Sequence, residues 1–155
     1  AAMRSLLASL ALVLSAVAPL AAQSSDHDAA YGVVTKLFDA MRSRDTAAMR
    51  SAFAPGAALQ SMSSQGLRND PIDSWIQSIA RAPQGAVLDE RLGDKVVQVR
   101  GDLASVWVDY WFFVGDRFSH CGVDAFVLAR VEGAWRIISV ADTRQREGCP
   151  PAPAR

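Results

Sequence analysis

Three ionisable residues in neighbouring β-patterned segments could carry acid–base chemistry. Asp109 lies in the segment Leu103–Val114, and His120 and Asp124 lie in the next one, Arg117–Val131. Histidine exchanges protons near neutral pH, and a carboxyl group in an apolar environment can be tuned toward that range. Such a group could move a proton in a reaction, fix the orientation of a bound molecule, or serve only as a set of structural polar contacts.

A tight turn between the two segments would bring these residues together. If Gly115-Asp116 forms a two-residue hairpin loop, Asp109 pairs with Gly122. Asp109 then lies diagonal to both His120 and Asp124, at roughly 7–8 Å between backbones and less between side chains. We therefore expect the three side chains on one face of a sheet. A bulge would change this, because a one-residue shift moves a whole strand to the opposite face.

Aromatic residues are expected around this group. In the same register, Gly122 leaves a gap between two tryptophans because it has no side chain. Apolar walls around a few convergent polar groups are typical of a small-molecule pocket. The same residues could equally be core, because aromatic side chains supply much of the buried area of a protein. The candidate ligand-binding residues are Trp107, Trp111, Phe126, Tyr31 and Trp75.

The elements that position these residues follow from the periodicity of the chain. Apolar residues at helical spacing predict three helices, which begin near Ser25 or Asp26, at Asp45 and at Pro71. A polar leader is expected at residues 23–28. Strands with β-branched and aromatic residues follow, separated by glycine turns. These strands are Val96–Arg100, Leu103–Val114, Arg117–Val131 and Trp135–Arg144.

This order predicts an α+β fold with three N-terminal helices packed on an antiparallel sheet. One face of the sheet would receive the helices. The other face is also largely apolar, and an exposed apolar face of that size favours a partner. We therefore expect a homodimer.

The N-terminus has the pattern of a secretory signal peptide. A basic residue precedes the apolar run Leu6–Val17, and small residues follow it. We expect cleavage after Ala22 and a secreted or periplasmic protein without membrane association. A retained N-terminal anchor is the alternative, although the run is short for a membrane span. The expected organisation is residues 1–22 as signal peptide, 23–149 as one domain and 150–155 as a disordered Pro-rich tail.

Composition and cysteine usage exclude several classes. The chain has 16 Lys and Arg against 16 Asp and Glu, which gives no electrostatic basis for binding nucleic acid or an anionic membrane. Cys121 and Cys149 predict a disulfide in an exported protein. Neither has a second ligand at metal-binding spacing, so we expect no metal site and no cofactor. No Gly-x-Ser-x-Gly motif supports a serine hydrolase.

The C-terminal half resembles a known superfamily. Residues 118–126 read FSHCGVDAF, a Gly-Trp hairpin follows at residues 133–137, and Asp142-Thr143-Arg144 precedes Cys149. These segments resemble motifs of the NTF2-like superfamily, which includes SnoaL-like and ketosteroid-isomerase-like proteins, and within it the proteins labelled lumazine-binding. The resemblance covers residues 28–149. It implies a cone of three helices on a strongly curved antiparallel sheet, often dimeric. It transfers no catalytic role, because no catalytic motif matches residue by residue.

Three functions are compatible with these observations. The first is a module that binds a small apolar or aromatic molecule in the cone. The second is a cofactor-independent lyase or isomerase, such as a dehydratase, that uses Asp109, His120 and Asp124 as base and acid. The third is a structural or partner-binding domain in which Trp107 and Trp111 plug the cone.

Overall fold

The structure, a computed structural model, describes residues 18–83 and 85–154. Its helices are α1 (Ala18–Ser43), α2 (Thr46–Ala52) and α3 (Ile72–Ala80). Its strands are β1 (Phe53–Ser63), β2 (Gly66–Asp70), β3 (Leu88–Arg100), β4 (Leu103–Val114), β5 (Arg117–Val131) and β6 (Ala134–Thr143). They form one curved sheet in the order β2-β1-β6-β5-β4-β3. The α+β prediction is confirmed, but the sheet is mixed because β1 runs parallel to β6.

Helix α1 begins earlier than the sequence predicted. Residues 23–28, expected to be a polar leader, belong to the helix, so Ser25 and Asp26 do not cap it. The carboxylate of Asp26 forms an ion pair with Arg130 of β5 at 2.7 Å. This contact holds the polar stretch against the sheet. The predicted signal peptide falls mostly on residues 1–17, which lie outside the described residues. Among the helices that the structure describes, none has the length and hydrophobicity needed to cross a membrane.

Helices α2 and α3 begin one residue after the predicted positions, so that Asp45 and Pro71 are their N-cap residues. The carboxylate of Asp45 accepts a hydrogen bond from the backbone N–H of Ala48 at 2.9 Å, as an N-cap residue does. Helix α3 follows Pro71 and buries Ile76 and Ile79. Together with α1, these helices cover one face of the sheet.

The covered face of the sheet, here called the inner face, carries Val106, Val108 and Tyr110 of β4 and Phe126 of β5. Their neighbours in sequence alternate onto the outer face, which carries Trp107, Asp109 and Trp111. The core lies between the inner face and α1. Its fully or almost fully buried members include Val34, Leu37, Met41, Val106, Val108, Leu128 and Ile137.

A bulge at Ser119 overturns the predicted register of the β4–β5 hairpin. Phe113 pairs with Phe118, but Phe112 pairs with His120, so Ser119 is an extra residue in β5. Beyond the bulge, Tyr110 rather than Asp109 lies opposite Gly122. The prediction that Asp109 shares a face with His120 and Asp124 is therefore wrong, because the extra residue moves the rest of β5 to the opposite face.

Residues 150–154 of the C-terminal tail, which were expected to be disordered, lie against the outer face. Cys121 and Cys149 form the predicted disulfide, with their Cα atoms 6.0 Å apart. Just beyond it, the indole N–H of Trp111 donates to the carbonyl oxygen of Pro150 at 2.7 Å. The guanidinium group of Arg91 donates to the carbonyl oxygen of Pro153 at 3.5 Å.

Candidate functional site

A cavity of about 1050 Å³ lies between the inner face and the helices. One part of its wall is apolar and aromatic and comes from α1, α3 and the central strands. The residues of this part include Phe38, Met41, Trp75, Ile79, Phe112 and Phe126. The other part is polar and charged and comes from β1, β2, β6 and the segment that follows β6. Binding cavities for small molecules likewise combine apolar walls with polar groups that fix the orientation of the ligand.

Three carboxyl groups from three different strands lie together in this cavity. Glu90 comes from β3, Asp124 from β5 and Asp142 from β6. Asp124 and Asp142 are directly opposite each other in the register, and the carboxyl group of Glu90 lies within hydrogen-bonding distance of that of Asp124. Asp124 Oδ2 and Asp142 Oδ1 are buried and receive no hydrogen bond from the part of the chain that the structure describes.

The environment of these groups favours their protonated forms. Burial, and secondly the negative charge of Asp142, raises the pKa of Glu90 to about 8, while Arg144 opposes the shift. Burial and the neighbouring Glu90 raise the pKa of Asp124 well above its ordinary value. The pKa of Asp142 is also raised by burial, against a hydrogen bond from Ser61 and the charge of Arg144. The Glu90–Asp124 pair therefore holds at least one proton at neutral pH.

Tyr110 is fixed beside the carboxyl groups by the end of β6. Its hydroxyl donates to the carbonyl oxygen of Thr143 at 2.8 Å. A side-chain carbon at Gly122 would lie 1.8 Å from that same oxygen, so only glycine allows this approach. The gap expected at Gly122 is thus filled by the backbone of β6 and does not belong to the pocket. Burial, and secondly the charge of Asp142, raises the pKa of Tyr110, which keeps the hydroxyl protonated.

His120 lies in the cavity as a neutral ring. Its Nδ1 is 2.9 Å from the hydroxyl oxygen of Ser119, and its ring packs against those of Tyr110 and Phe112. Burial, followed by the positive charges of Arg144 and Arg146, lowers the pKa of His120 to about 4. The ring is therefore uncharged at neutral pH and serves as a hydrogen-bonding group, not as a strong proton donor.

Four of the residues predicted for the site line the cavity. His120, Asp124 and Phe126 do so from β5, and Trp75 does so from α3. Phe126 is almost fully buried and meets Phe38 of α1 edge to face, with ring centroids 5.9 Å apart. Whether these residues bind a ligand or move a proton stays a prediction.

The other predicted residues lie elsewhere. Asp109, Trp107 and Trp111 are on the outer face, because they alternate along β4 with Val106, Val108 and Tyr110, which are buried beneath the helices. Trp107 is 54% exposed, whereas Trp111 is 7% exposed beneath the C-terminal tail. Neither tryptophan can plug the cone from that face. Tyr31 lines a second, smaller cavity of about 590 Å³ beside the edge strand β3.

Sequence reasoning missed Glu90, Tyr110 and Asp142 as members of the site. Glu90 had a detectable signal, because it alternates with Leu88 and Leu92 and so shares their face of a strand. In the register expected from a two-residue Gly115-Asp116 loop, Tyr110 follows Asp109 and therefore falls on the face opposite the expected site. Within residues 18–83 and 85–154, no group of three or more His, Cys, Asp and Glu side chains has the arrangement of a metal site.

The fold and the cavity together define an NTF2-like protein, in which helices close one face of a curved sheet into a cone. The chain belongs to the family described as "Putative lumazine-binding", whose pattern matches residues 25–141. No curated protein matches it in sequence.

Solved structures support the fold assignment. An NTF2-like protein of unknown function from Shewanella baltica OS155 is similar with a TM-score of 0.64 at 20% identity, over 80% of this chain and 97% of its own. A protein of unknown function from Mycobacterium tuberculosis is similar with a TM-score of 0.71 at 14% identity, over 86% of this chain and 80% of its own. A "putative dehydratase" of the NTF2-like family from Streptomyces avermitilis is similar with a TM-score of 0.63 at 17% identity, over 79% of this chain and 98% of its own. At these identities the likeness concerns the fold alone.

Proposed function

We propose that this protein binds a small molecule with an apolar or aromatic body in the cavity of its cone. The observation that carries the proposal is the cavity itself, about 1050 Å³ in volume, with aromatic residues in its wall and three carboxyl groups at one place. Pockets for small molecules combine such walls with a few polar groups that fix orientation. The family description, which names lumazine binding, also supports a small-molecule ligand.

A matched pair of tryptophan variants tests this function. Trp75 lines the cavity, whereas Trp107 lies exposed on the outer face. The neutral dye N-phenylnaphthylamine should bind the protein with enhanced fluorescence, and Trp75→Ala should weaken that binding at least about fivefold, roughly 1 kcal/mol. Trp107→Ala should leave it unchanged. Equal effects of the two substitutions, or no dye binding by the unmodified protein, would refute the proposal.

Export to an oxidising compartment is the second part of the proposal, with the protein secreted or periplasmic. The Cys121–Cys149 disulfide supports it, because disulfides persist mainly outside the cytosol. Intact-mass measurement on protein produced in an exporting host checks this part. The expected chain starts near Gln23 and has no free thiol. A chain that keeps its N-terminal segment favours a retained anchor.

We also propose that two copies associate through the outer face. Trp107 and Val96 are paired neighbours on β4 and β3, and both are more than half exposed. Val127 adds to the same face and is 38% exposed. Exposed apolar patches commonly mark an interface. Light scattering after size exclusion should give a dimer for the unmodified chain and a monomer for Trp107→Glu. A monomer in both cases refutes this part.

A second candidate function is a cofactor-independent lyase or isomerase. It is favoured by one specific observation, the carboxyl group of Glu90, whose pKa of about 8 lies close to neutral pH. General acids and bases work best with a pKa near the operating pH. In this version Glu90 and Asp124 exchange the proton, and Asp109 has no role. Once a converted substrate is found, Glu90→Gln should abolish turnover while binding persists. Turnover that survives this substitution would argue for a binding protein.

A further inference from the structure

We propose that the ligand enters the cavity with a cationic nitrogen group, an amidinium or ammonium, which is received by Glu90, Asp124 and Asp142. This inference rests on the proposed function and specifies its class of ligand. It follows from the geometry of the three carboxyl groups and from two of their oxygens, Asp124 Oδ2 and Asp142 Oδ1, which receive no hydrogen bond within the described part of the chain.

The positions of the carboxyl groups are unfavourable for folding, because like charges face each other and buried oxygens lack hydrogen bonds. Asp124 and Asp142 are opposite each other on the same face of the sheet, and like charges in that relation destabilise strand pairing. Asp124 is 4% exposed and lines the cavity. Its Oδ2 and the Oδ1 of Asp142 are buried without a donor from the described part of the chain. Buried polar atoms normally have partners, so a bound molecule is the natural source of these donors.

The groups that face the cluster supply only part of its hydrogen bonds. Glu90 and Asp124 bond each other, while Asp124 Oδ2 and Asp142 Oδ1 have no partner in the described part of the chain. The hydroxyl of Tyr110 on β4 is already bonded to the backbone of β6. On β6 itself, Arg144 Nη2 lies 3.8 Å from Asp142 Oδ2 and offsets one negative charge. Ser61 of β1 bonds Asp142. The charge of Arg68 on β2 also lowers the pKa of Asp142, and that of Asp70 raises it. The remaining ionisable groups in the cavity lining are His120, Arg146 and Glu147.

A cation fits this environment better than a neutral molecule. The acids are kept partly protonated because burial and mutual repulsion penalise their charged forms. A cationic group would supply the missing compensation, form charge-assisted hydrogen bonds and release a proton from the cluster as it binds. A neutral donor could satisfy the oxygens but would leave the repulsion in place. The aromatic walls, which include Phe112 and Phe126, suit a flat body attached to that cation.

Three probes of the same shape and different charge test the inference. Benzamidine is a cation, benzamide is neutral and benzoate is an anion. Isothermal titration calorimetry on the disulfide-intact full chain should show benzamidine binding about tenfold more tightly than benzamide at pH 8.5, and benzoate more weakly than either. The preference should shrink toward pH 6, where Glu90 and Asp124 hold their protons. Titrations in buffers of different ionisation enthalpy should show proton release with benzamidine only.

Variants locate the effect within the molecule. Asp142→Asn and Glu90→Gln should each reduce the preference for benzamidine at least about threefold, and either one suffices if the other fails to fold. Asp109→Asn, on the outer face, should keep the full preference. Equal binding of benzamidine and benzamide, or tightest binding of benzoate, would overturn the cation inference while leaving a small-molecule cavity. If no probe binds, the inference also fails, and N-phenylnaphthylamine binding then decides separately whether the cavity takes ligands.

Discussion

The inner and outer faces of strands β4 and β5 differ in what covers them more than in the residue types they carry. Each face has large aromatic residues and a carboxylate. On the inner face Tyr110 and Phe126 are each 2% exposed beneath the helices, and Asp124 is buried with them. On the outer face Trp107 is 54% exposed, and Asp109 is only partly covered. Asp124 is therefore a candidate functional group and Asp109 is not, because the two aspartates point to opposite faces of the sheet.

The largest expected effect concerns Gly122 of β5, which the backbone at the end of β6 approaches closely. Gly122→Ala should abolish the native fold or lower the free energy of unfolding by more than about 3 kcal/mol, because the added carbon would meet the backbone oxygen of Thr143 at 1.8 Å. Urea denaturation followed by circular dichroism measures this. Gly32→Ala in α1 is the control, since that position has open space and alanine favours a helix by up to about 1 kcal/mol. A native-like Gly122→Ala protein would show that the backbone of Thr143 does not lie against Gly122 as described.

Two adjacent residues of β5 test the assignment of the faces directly. Leu128 is fully buried on the inner face, and Val127 is 38% exposed on the outer face. Leu128→Ala should cost about 3 kcal/mol of unfolding free energy because it leaves a cavity in the core. Val127→Ala should cost less than about 1 kcal/mol. The same urea experiment measures both, and similar losses would mean that the outer face is covered as thoroughly as the inner one.

The elements of the fold could be read from the sequence because their signals are local. Asp45 is an N-cap residue, Pro71 precedes α3, and the glycine turns that separate the strands are visible without any tertiary information. The boundaries of β4 and β5 agree with the predicted segments. The start of α1 was missed, because a polar stretch becomes helical here with support from a distant residue, Arg130.

The site could be predicted only in part, because its composition depends on register. One extra residue, Ser119, decides that His120 and Asp124 face the cavity while Asp109 does not. No local pattern in the sequence marks that bulge, and a second irregularity between Val127 and Leu128 shifts the pairing with β6 as well. The residue types therefore predicted a cluster of polar side chains in the cavity, but they did not predict which carboxyl groups would form that cluster.

A smaller effect is expected from removing one charge on the inner face. Burial raises the pKa of Glu90 from 4.5 to about 8, so the folded state holds more protons than the unfolded state between these values. Stability from this group is present below about pH 4.5 and is lost as pH rises toward 8. Glu90→Gln should remove that loss and make the protein more stable than the unmodified chain at pH 8, by roughly 1–2 kcal/mol.

Thermal and urea unfolding between pH 5 and 8.5 test this expectation. The control is Glu132→Gln, because Glu132 is exposed in the β5–β6 turn. Its profile should follow that of the unmodified chain. Parallel profiles for Glu90→Gln and the unmodified chain would mean that Glu90 is solvated like a surface carboxylate. The two faces of the sheet would then not differ in how they affect the ionisation of a carboxyl group.

The smallest expected effect belongs to the residue that sequence reasoning placed first in the acid–base group. Asp109→Asn should change the free energy of unfolding by less than about 0.5 kcal/mol, because the side chain lies on the outer face away from the cavity. The same substitution on the inner face, Asp124→Asn, replaces a buried carboxyl group that lies within hydrogen-bonding distance of Glu90. That variant should alter the pH dependence of stability between pH 5 and 8.5, whereas Asp109→Asn should not. If Asp109→Asn changes the pH profile and Asp124→Asn does not, the Ser119 bulge is absent in solution and the two faces must be exchanged.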